Sequence, residues 1–300
     1  MTPPTARHAP TTLAASLLIL LATVTACRAG SGGATPSPST SEAAPAAGAA
    51  PAPVALRVLV LNMHAGKDAA GLDNLERVAA LVGETGADVV LLQEVDSLTR
   101  RSGGVDQASE LARRTGLEAR FGNALAFQGG GYGIATLARP AVTAGTLVRL
   151  PVDPPQERAG GSREPRGVLA LTLATPAGAL HVLNTHLDPS ADDRWRRQEA
   201  DSVLSVALDR GADGAPVLVG GDLNAVPESA VIRSLRERGL RDLWAECGTG
   251  DGHTFPAAAP VRRIDYLLAM GPVRCTSARV LEGGESDHRG VLFEVRVGGG

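Results

Sequence analysis

Side chains that bind metal ions or move protons lie where apolar segments of this chain end. Asn62 ends the run LRVLVLN, Glu94 ends ADVVLLQE, and His186 ends ALHVLNTH. A buried carboxylate is costly unless it is paired, hydrogen-bonded or bound to a cation. Acidic and amide side chains in these positions therefore predict a site for a hard divalent cation.

The second half of the chain repeats this pattern at three segments, APVLVGGDLN, RIDYLLAM and the residues before VLFEVRV. They supply Asp222, Asn224, Asp265, Asp287 and His288. A carboxylate on one ring nitrogen of a histidine fixes its tautomer and makes the other nitrogen a better base. Taken alone, each residue also fits a purely structural role, as a turn cap, a loop acid or a buried histidine. Their order along the chain argues against a coincidence.

The elements that must position these side chains begin as alternating strands and helices. LRVLVLN at 56–62 predicts a strand, the amphipathic stretch 72–84 a helix, and 87–94 a second strand. A further helix is expected at 106–115, where Gly116 is typical of a C-terminal cap. This rhythm is that of an α/β protein.

Four apolar runs without helices between them follow within residues 121–186 and predict antiparallel neighbours. A helix is expected at about 191–210, and Pro227 is expected to open the next one. Strands at 263–270 and 291–297 complete the chain. Strand and helix alternate in both halves, which suits two sheets packed face to face.

The first 53 residues predict export rather than a folded unit. Residues 1–27 have an apolar run that ends in VTAC, which resembles a lipoprotein signal peptide with Cys27 as the lipidated residue. An ordinary signal peptide with an incidental cysteine is the alternative. Residues 28–53 form a Gly/Ser/Ala/Pro linker, so the folded domain is expected at 54–300. We expect an extracytoplasmic protein held at the cell membrane by a lipid anchor, or a secreted one if Cys27 is not lipidated.

The amino-acid composition and the net charge fit a globular protein that is not strongly basic. Hydrophobic residues make up 44% of the chain and the formal net charge is −3. The broad basic surface of a non-specific nucleic-acid binder is therefore absent, although the local patch from Arg158 to Arg166 could act alone. Cys247 and Cys275 fit either a disulfide or two separately buried thiols, since an exported chain permits both.

Six segments in register, N, QE, NTHL, GDLN, RIDY and SDH, resemble the endonuclease/exonuclease/phosphatase superfamily over about residues 55–297. The resemblance implies a four-layer α/β sandwich in which helices flank two packed mixed β-sheets. It also implies Mg²⁺, or alternatively Mn²⁺, as the cofactor, and oxygen ligands suit such a cation.

The resemblance assigns a role to each residue of the pattern. Glu94, Asn62 and Asp287 would bind the metal. His288 would be the base that activates water, and Asp265 would orient it. Asp222 and Asn224 would position the water and the phosphoryl oxygens, while His186 would bind phosphate or protonate the leaving group. Arg166 is a candidate phosphate contact, with a solvated surface arginine as the alternative.

The expected function is a metal-dependent phosphoesterase that attacks a phosphodiester or phosphomonoester with activated water. A small phosphorylated molecule or lipid headgroup is favoured as substrate, and we expect a monomer. An extracellular nuclease is the alternative. A non-catalytic surface lipoprotein is a third hypothesis, which the complete set of catalytic-type residues argues against. The segments 64–67 and 101–104 are expected either to line the site entrance or to be ordinary surface loops.

Overall fold

The structure is a computed structural model that describes residues 52–156 and 163–299. The expected signal segment 1–27, with Cys27, and nearly all of the linker 28–53 lie outside the described residues. So does most of the basic stretch that begins at Arg158. Among the described residues, no helix is both long enough and apolar enough to cross a membrane.

Within these ranges the chain forms two six-stranded sheets and five α-helices. The strands are β1 (Val54–Asn62), β2 (Val89–Ser97), β3 (Glu118–Phe127), β4 (Gly130–Ala138), β5 (Val142–Arg149), β6 (Gly167–Thr175), β7 (Gly178–His186), β8 (Val217–Asp222), β9 (Arg241–Asp242), β10 (Asp265–Met270), β11 (Val273–Val280) and β12 (Val291–Val297). The helices are α1 (Leu75–Thr85), α2 (Gln107–Thr115), α3 (Arg194–Arg210), α4 (Ala230–Glu237) and α5 (Leu243–Cys247).

Each sheet is mixed and has one parallel pair of strands near its centre. The first sheet has the order β11-β12-β1-β2-β4-β3 and the second the order β5-β6-β7-β8-β10-β9. Strand β1 runs parallel to β2, and β7 runs parallel to β8. The other pairings are antiparallel. Helices α1 and α3 make the two crossovers that parallel pairs require.

Three clusters of buried apolar side chains hold the layers together. The central cluster joins Val60 and Leu91 of the first sheet to Leu171 and Leu218 of the second. A second cluster packs helices α1 and α2 on the first sheet, and a third packs α3 and α4 on the other. Each fully buried Leu or Val contributes roughly 1.5–3 kcal/mol. The four-layer sandwich with two mixed sheets is confirmed.

One buried polar contact fixes the two sheets relative to each other beside the site. Gln93 Nε2 of β2 donates to Asn184 Oδ1 of β7 at 2.7 Å. Asn184 Nδ2 donates in turn to the carbonyl oxygens of Leu92 and Ala135, at 3.1 and 2.8 Å. A slip between the sheets would leave these buried groups unpaired, which costs about 1–3 kcal/mol for each group. The contact therefore sets the relative position of Glu94 and His186, which follow on the same strands.

Several element predictions differ from the structure, among them the loop expected between 270 and 291, which contains strand β11. Helix α4 begins at Ala230, and Pro227 lies in the turn before it, so the prediction that Pro227 opens the helix is wrong. Ser229 caps this helix because its side chain accepts from Ile232 N at 3.3 Å. The segment 121–186 holds one strand more than predicted, the edge strand β5. Strand β5 is mostly exposed and so lacks a clear apolar alternation.

Cys247 at the end of α5 and Cys275 in β11 form a disulfide, with their Cα atoms 5.8 Å apart. The alternative expectation, two separately buried thiols, is wrong. The bond joins the second sheet's last helix to the edge of the first sheet, and β10 lies in the segment between the two cysteines.

Candidate active site

Both parallel strand pairs end at the same edge of the sandwich, and the predicted residues gather there. Asn62 ends β1, His186 ends β7 and Asp222 ends β8. Asp265 opens β10 directly opposite Asp222 in the antiparallel ladder. His288 lies in the loop before β12, which runs antiparallel to β1. The structure thus brings these side chains together at one edge of the sandwich, as the sequence predicts for strand ends.

Glu94 reaches this edge through a bulge rather than a strand end. Strand β2 continues to Ser97, so the prediction that Glu94 ends its strand is wrong. The pairing of β2 with β4 shifts register between Leu92 and Val95, and Glu94 has a positive φ of 56°. Bulges re-aim side chains next to active sites, and positive φ is uncommon for a residue with a Cβ. The distorted backbone turns Glu94 toward Asn62.

Asn62 connects two carboxylates at the base of the site. Its Nδ2 donates to Glu94 Oε1 at 3.0 Å and to Asp222 Oδ2 at 3.1 Å. Its Oδ1 accepts from the backbone N of His64 at 3.1 Å. Asn62 is 1% exposed, so these contacts replace water. The structure thus gives Asn62 a positioning contact to both acids, and its role as a metal ligand stays a prediction.

His288 is held by Asp265 and faces Asp222. Nδ1 of His288 lies 3.0 Å from Asp265 Oδ2, and its Nε2 lies 3.7 Å from Asp222 Oδ2. The ring of Phe255 covers the imidazole, with the centroids 4.7 Å apart. Burial lowers the pKa of His288, but Asp265 and then Asp222 outweigh it and raise this pKa to about 10.

Asp222 is the buried carboxylate on which most contacts converge. It accepts from Asn62 Nδ2 at 3.1 Å and from the backbone N of Asn224 at 2.9 Å. Burial raises the pKa of Asp222 to about 7, against the lowering effect of His288. Asp222 and His288 therefore form an acid–base couple beside the cavity, in which His288 carries the proton near neutral pH and Asp222 is the member that can accept one.

His186 is neutral and directs an N–H into the site. Arg166 Nη1 lies 2.7 Å from His186 Nδ1. Because a guanidinium only donates, Nδ1 accepts and the ring hydrogen resides on Nε2. Burial, followed by the charges of Arg166 and His288, holds the pKa of His186 well below its usual value. Its Nε2 lies 3.2 Å from Asn224 Nδ2 and 3.5 Å from Asp222 Oδ2, so it points at the centre of the site.

Arg166 is a buried part of the site rather than a solvated surface residue. It is 6% exposed, and its Nη1 lies 3.1 Å from Glu164 Oε1. Its Nε is buried and has no hydrogen-bond partner among the residues that the structure describes. A buried donor of this kind suits an anionic ligand.

A cavity of about 480 Å³ opens over this constellation. Seven of the predicted residues line it: Glu94, Arg166, His186, Asp222, Asn224, Asp287 and His288. Asn62 and Asp265 stand behind these residues and contact them through hydrogen bonds. The arrangement separates groups that can touch a ligand from groups that orient them.

The donor set fits a divalent cation. Glu94 and Asp287 present carboxylates to the cavity, and such oxygens suit Mg²⁺ or Mn²⁺. Asp222, Asp265 and His288 also place ligand atoms within 4.8 Å of one another. In that group Asp265 Oδ2 contacts His288 Nδ1, while the assignment of Glu94 and Asp287 as metal ligands stays a prediction.

Sequence reasoning missed seven of the fifteen residues that line the cavity. The segments 101–104 and 64–67 were both expected as a possible entrance; in 101–104, Arg101 lines the cavity while Ser102 closes a turn on Thr99. In 64–67, His64 Nδ1 lies 3.8 Å from Asp287 Oδ1, and Lys67 pairs with Asp73 outside the cavity lining. The lining residues that sequence reasoning did not single out are Phe127, Tyr132, Glu164, Pro189, Phe255, Arg262 and Ile264. Phe127 and Tyr132 flank the β3–β4 turn, so their nearness to strand ends was the available signal.

Comparisons with known proteins identify the family and the fold. The model of the Endonuclease/Exonuclease/phosphatase family matches residues 59–288. The uncharacterized protein YbhP of Escherichia coli K12 is 26% identical over 221 residues, which cover 70% of this chain and 83% of YbhP. An endonuclease/exonuclease/phosphatase from Beutenbergia cavernae is similar in structure, with a TM-score of 0.67, 22% identity and coverage of 82% and 72% of the two chains. The mannosyl-6-phosphatase Bt3783 of Bacteroides thetaiotaomicron has a TM-score of 0.65, with 17% identity and coverage of 80% and 99%.

Proposed function

Since the chain belongs to the endonuclease/exonuclease/phosphatase family, we propose that it is a divalent-metal-dependent hydrolase of phosphate esters. The observation that carries this proposal is the Asp265–His288–Asp222 arrangement on the cavity floor, with contacts of 3.0 and 3.7 Å. It places an oriented imidazole and a carboxylate beside a cavity that Glu94, Asp287 and Arg166 also line.

The reaction is in-line attack of water on phosphorus. The couple of His288 and Asp222 takes the proton of the water while its oxygen forms a bond to phosphorus. The ester P–O bond breaks, the leaving oxygen takes a proton from solvent, and the couple releases the proton it accepted to solvent, so the products are an alcohol and a phosphate. A cation held by Glu94 and Asp287 would neutralise charge on the phosphoryl oxygens.

The remaining side chains bind and orient the phosphate. Arg166 offers a buried guanidinium, and the N–H of neutral His186 can donate to a phosphoryl or leaving oxygen. Asn224 donates its Nδ2 to the carbonyl oxygen of Leu187 at 3.0 Å and its backbone N to Asp222 Oδ1 at 2.9 Å, and so holds Asp222 beside the end of β7. Catalysis by these residues is mainly positioning and electrostatic stabilisation.

We assign the substrate to small phosphorylated molecules or lipid headgroups. The net charge of −3 and the limited cavity of about 480 Å³ support this choice over a long nucleic acid. A nuclease is the alternative, and it would show activity on DNA that falls steeply with salt. Flat salt dependence together with turnover of small esters favours the proposal.

The decisive experiment measures hydrolysis of p-nitrophenyl phosphate and bis-p-nitrophenyl phosphate by the purified chain. We expect turnover with Mg²⁺ or Mn²⁺ and its loss in EDTA. His288→Ala should abolish turnover while circular dichroism stays unchanged. Full activity in that variant, or turnover that EDTA does not affect, would overturn the proposal.

The location outside the cytoplasmic membrane and the lipid anchor at Cys27 are also proposals. They are supported by the apolar run that ends in VTAC and by the small-residue linker after it. Metabolic labelling with a radioactive fatty acid should mark the wild-type chain in its host and leave Cys27→Ser unlabelled. Equal labelling of both chains, or of neither, would remove the anchor from the proposal.

A further inference from the structure

Arg101 is held rigidly on one wall of the catalytic cavity. Its Nε and Nη2 donate to Asp96 Oδ2 and Oδ1 at 2.8 and 2.9 Å, and the Asp96 side chain is fully buried. The guanidinium carbon lies 4.8 Å from the ring centroid of Phe127 and 5.0 Å from that of Tyr132. A planar cation fixed by a carboxylate fork and two rings is preorganised for a ligand.

The side chains that hold Arg101 are themselves fixed by hydrogen bonds. Thr99 Oγ1 donates to Asp96 Oδ2 at 2.8 Å, and Asp96 N donates to Gln107 Oε1 at 2.8 Å. The backbone N of Arg101 donates to Gln128 Oε1 at 2.9 Å, which ties its turn to the β3–β4 connection. The Arg101 side chain is 33% exposed, and these contacts fix its position at the cavity wall.

Donors without a protein partner cluster on this wall. Nη1 of Arg101, the hydroxyl of Tyr132 and Nε of Arg166 make no hydrogen bond within residues 52–156 and 163–299. Tyr132 and Glu94 interact electrostatically with both arginines. The two guanidinium groups therefore line the same cavity as Glu94, the carboxylate that we assign to the metal.

We propose that Arg101 makes this site selective for phosphomonoesters by binding a terminal phosphoryl oxygen that a diester lacks. This inference rests on the proposed phosphoesterase function. A monoester presents three non-bridging oxygens and up to two negative charges, whereas a diester presents two such oxygens and one charge. The wall of Arg101, Tyr132 and Arg166 supplies donors for the extra oxygen. The ester group that replaces it in a diester would bring an apolar substituent against a fixed cation.

The test compares two esters that share a leaving group, p-nitrophenyl phosphate and methyl p-nitrophenyl phosphate. We expect the wild type to prefer the monoester. Arg101→Met should lower kcat/KM for the monoester about 10- to 100-fold, the usual effect of losing a charge-assisted hydrogen bond, and change that for the diester far less. Equal losses on both esters, or a wild type that prefers the diester, would overturn the inference.

Two further variants separate binding from folding. Arg101→Lys keeps a cation beside Asp96 but loses the planar fork, so it should fold and still lose monoester preference. Arg113→Met is the matched control, because Arg113 pairs with Glu110 on α2 and its side chain is 70% exposed outside the cavity lining. The control should leave the ratio of the two esters unchanged. A wild-type ratio in Arg101→Lys would contradict the inference.

Binding of inorganic phosphate gives a readout that needs no turnover. In calorimetry with Mg²⁺, Arg101→Met should weaken phosphate binding about 10- to 100-fold and leave dimethyl phosphate binding nearly unchanged. If this holds while no ester is hydrolysed, the proposed function fails and the assignment of Arg101 stands. If esters are hydrolysed and phosphate binding is unaffected, Arg101 does not have this role and the proposed function stands.

Discussion

Asp265 Oδ2 and His288 Nδ1 lie 3.0 Å apart, and this contact turns the other ring nitrogen of His288 toward Asp222. Both partners are buried, at 2% and 5% exposure. Asp265 therefore fixes the orientation of the His288 ring, so that Nε2 faces Asp222. The effect of Asp265 on the pKa of His288 can be measured.

Asp265→Asn should lower the pKa of His288. Burial works against the imidazolium, and the Asp265 carboxylate is the largest contribution that raises this pKa to about 10. Removal of its charge favours the neutral ring. An NMR titration of the metal-free protein measures the shift, with the exposed Asp192→Asn as control. The variant's kcat should also fall about 10²- to 10⁴-fold. An unchanged histidine pKa would contradict the assigned contact.

Asn62→Ala should weaken both metal use and turnover. The variant removes the one amide that donates to Glu94 and to Asp222, at 3.0 and 3.1 Å. Loss of charge-assisted contacts of this kind costs about 1.5–3 kcal/mol each, or roughly a tenfold effect or more. The Mg²⁺ concentration for half-maximal rate should rise by that order. A normal Mg²⁺ dependence would show that Asn62 does not position the two acids.

Glu199→Gln should flatten the dependence of stability on pH. Burial raises the pKa of Glu199 to about 8, so the folded protein retains its proton where the unfolded chain releases it. The stabilisation is complete below about pH 4.5 and is lost as pH rises through about 8. Wild-type Tm should therefore fall from pH 6 to pH 9 by several degrees more than that of the variant, since about 1 kcal/mol shifts Tm by roughly 2–4 °C.

A matched control for Glu199 lies on the same helix. Asp201 of α3 is 62% exposed and pairs with Arg238, so Asp201→Asn should keep the wild-type dependence on pH. Parallel Tm curves for Glu199→Gln and wild type would contradict a buried, protonated Glu199.

The double variant Cys247→Ser/Cys275→Ser should be less stable and remain active. A bridge between cysteines 28 residues apart restricts the unfolded chain by about 3–4 kcal/mol in the loop-entropy model. Thermal unfolding with and without reductant measures the loss, and reduced wild type should match the variant. A variant with wild-type Tm in oxidising buffer would show that the bond does not stabilise the fold.

Local features of the fold could be predicted from the sequence because their signals are local. Helix α2 has the capping residues expected of it, since Asp106 accepts from Ser109 N at 3.1 Å and Gly116 has a φ of 71°. Strand β12 occupies residues 291–297 as predicted. The convergence of strand-end residues followed from parallel pairs, whose carboxyl ends meet at one edge.

Other features depend on contacts that no short segment of sequence displays. The bulge at Glu94 arises from how β2 pairs with β4, and nothing in QEVD indicates a positive φ. Arg101 resembles any loop arginine until Asp96, Phe127 and Tyr132 surround it. The pairing of Cys247 with Cys275 likewise depends on α5 packing against β11.

The Cys247–Cys275 bond also closes a covalent ring around one wall of the site. The enclosed segment carries Phe255, Arg262 and Asp265, and it includes Val261, which is 64% exposed. A protease that cuts at this exposed position would leave both fragments joined through sulfur. The nicked protein would still present its catalytic wall, and only reduction would let the pieces diffuse apart.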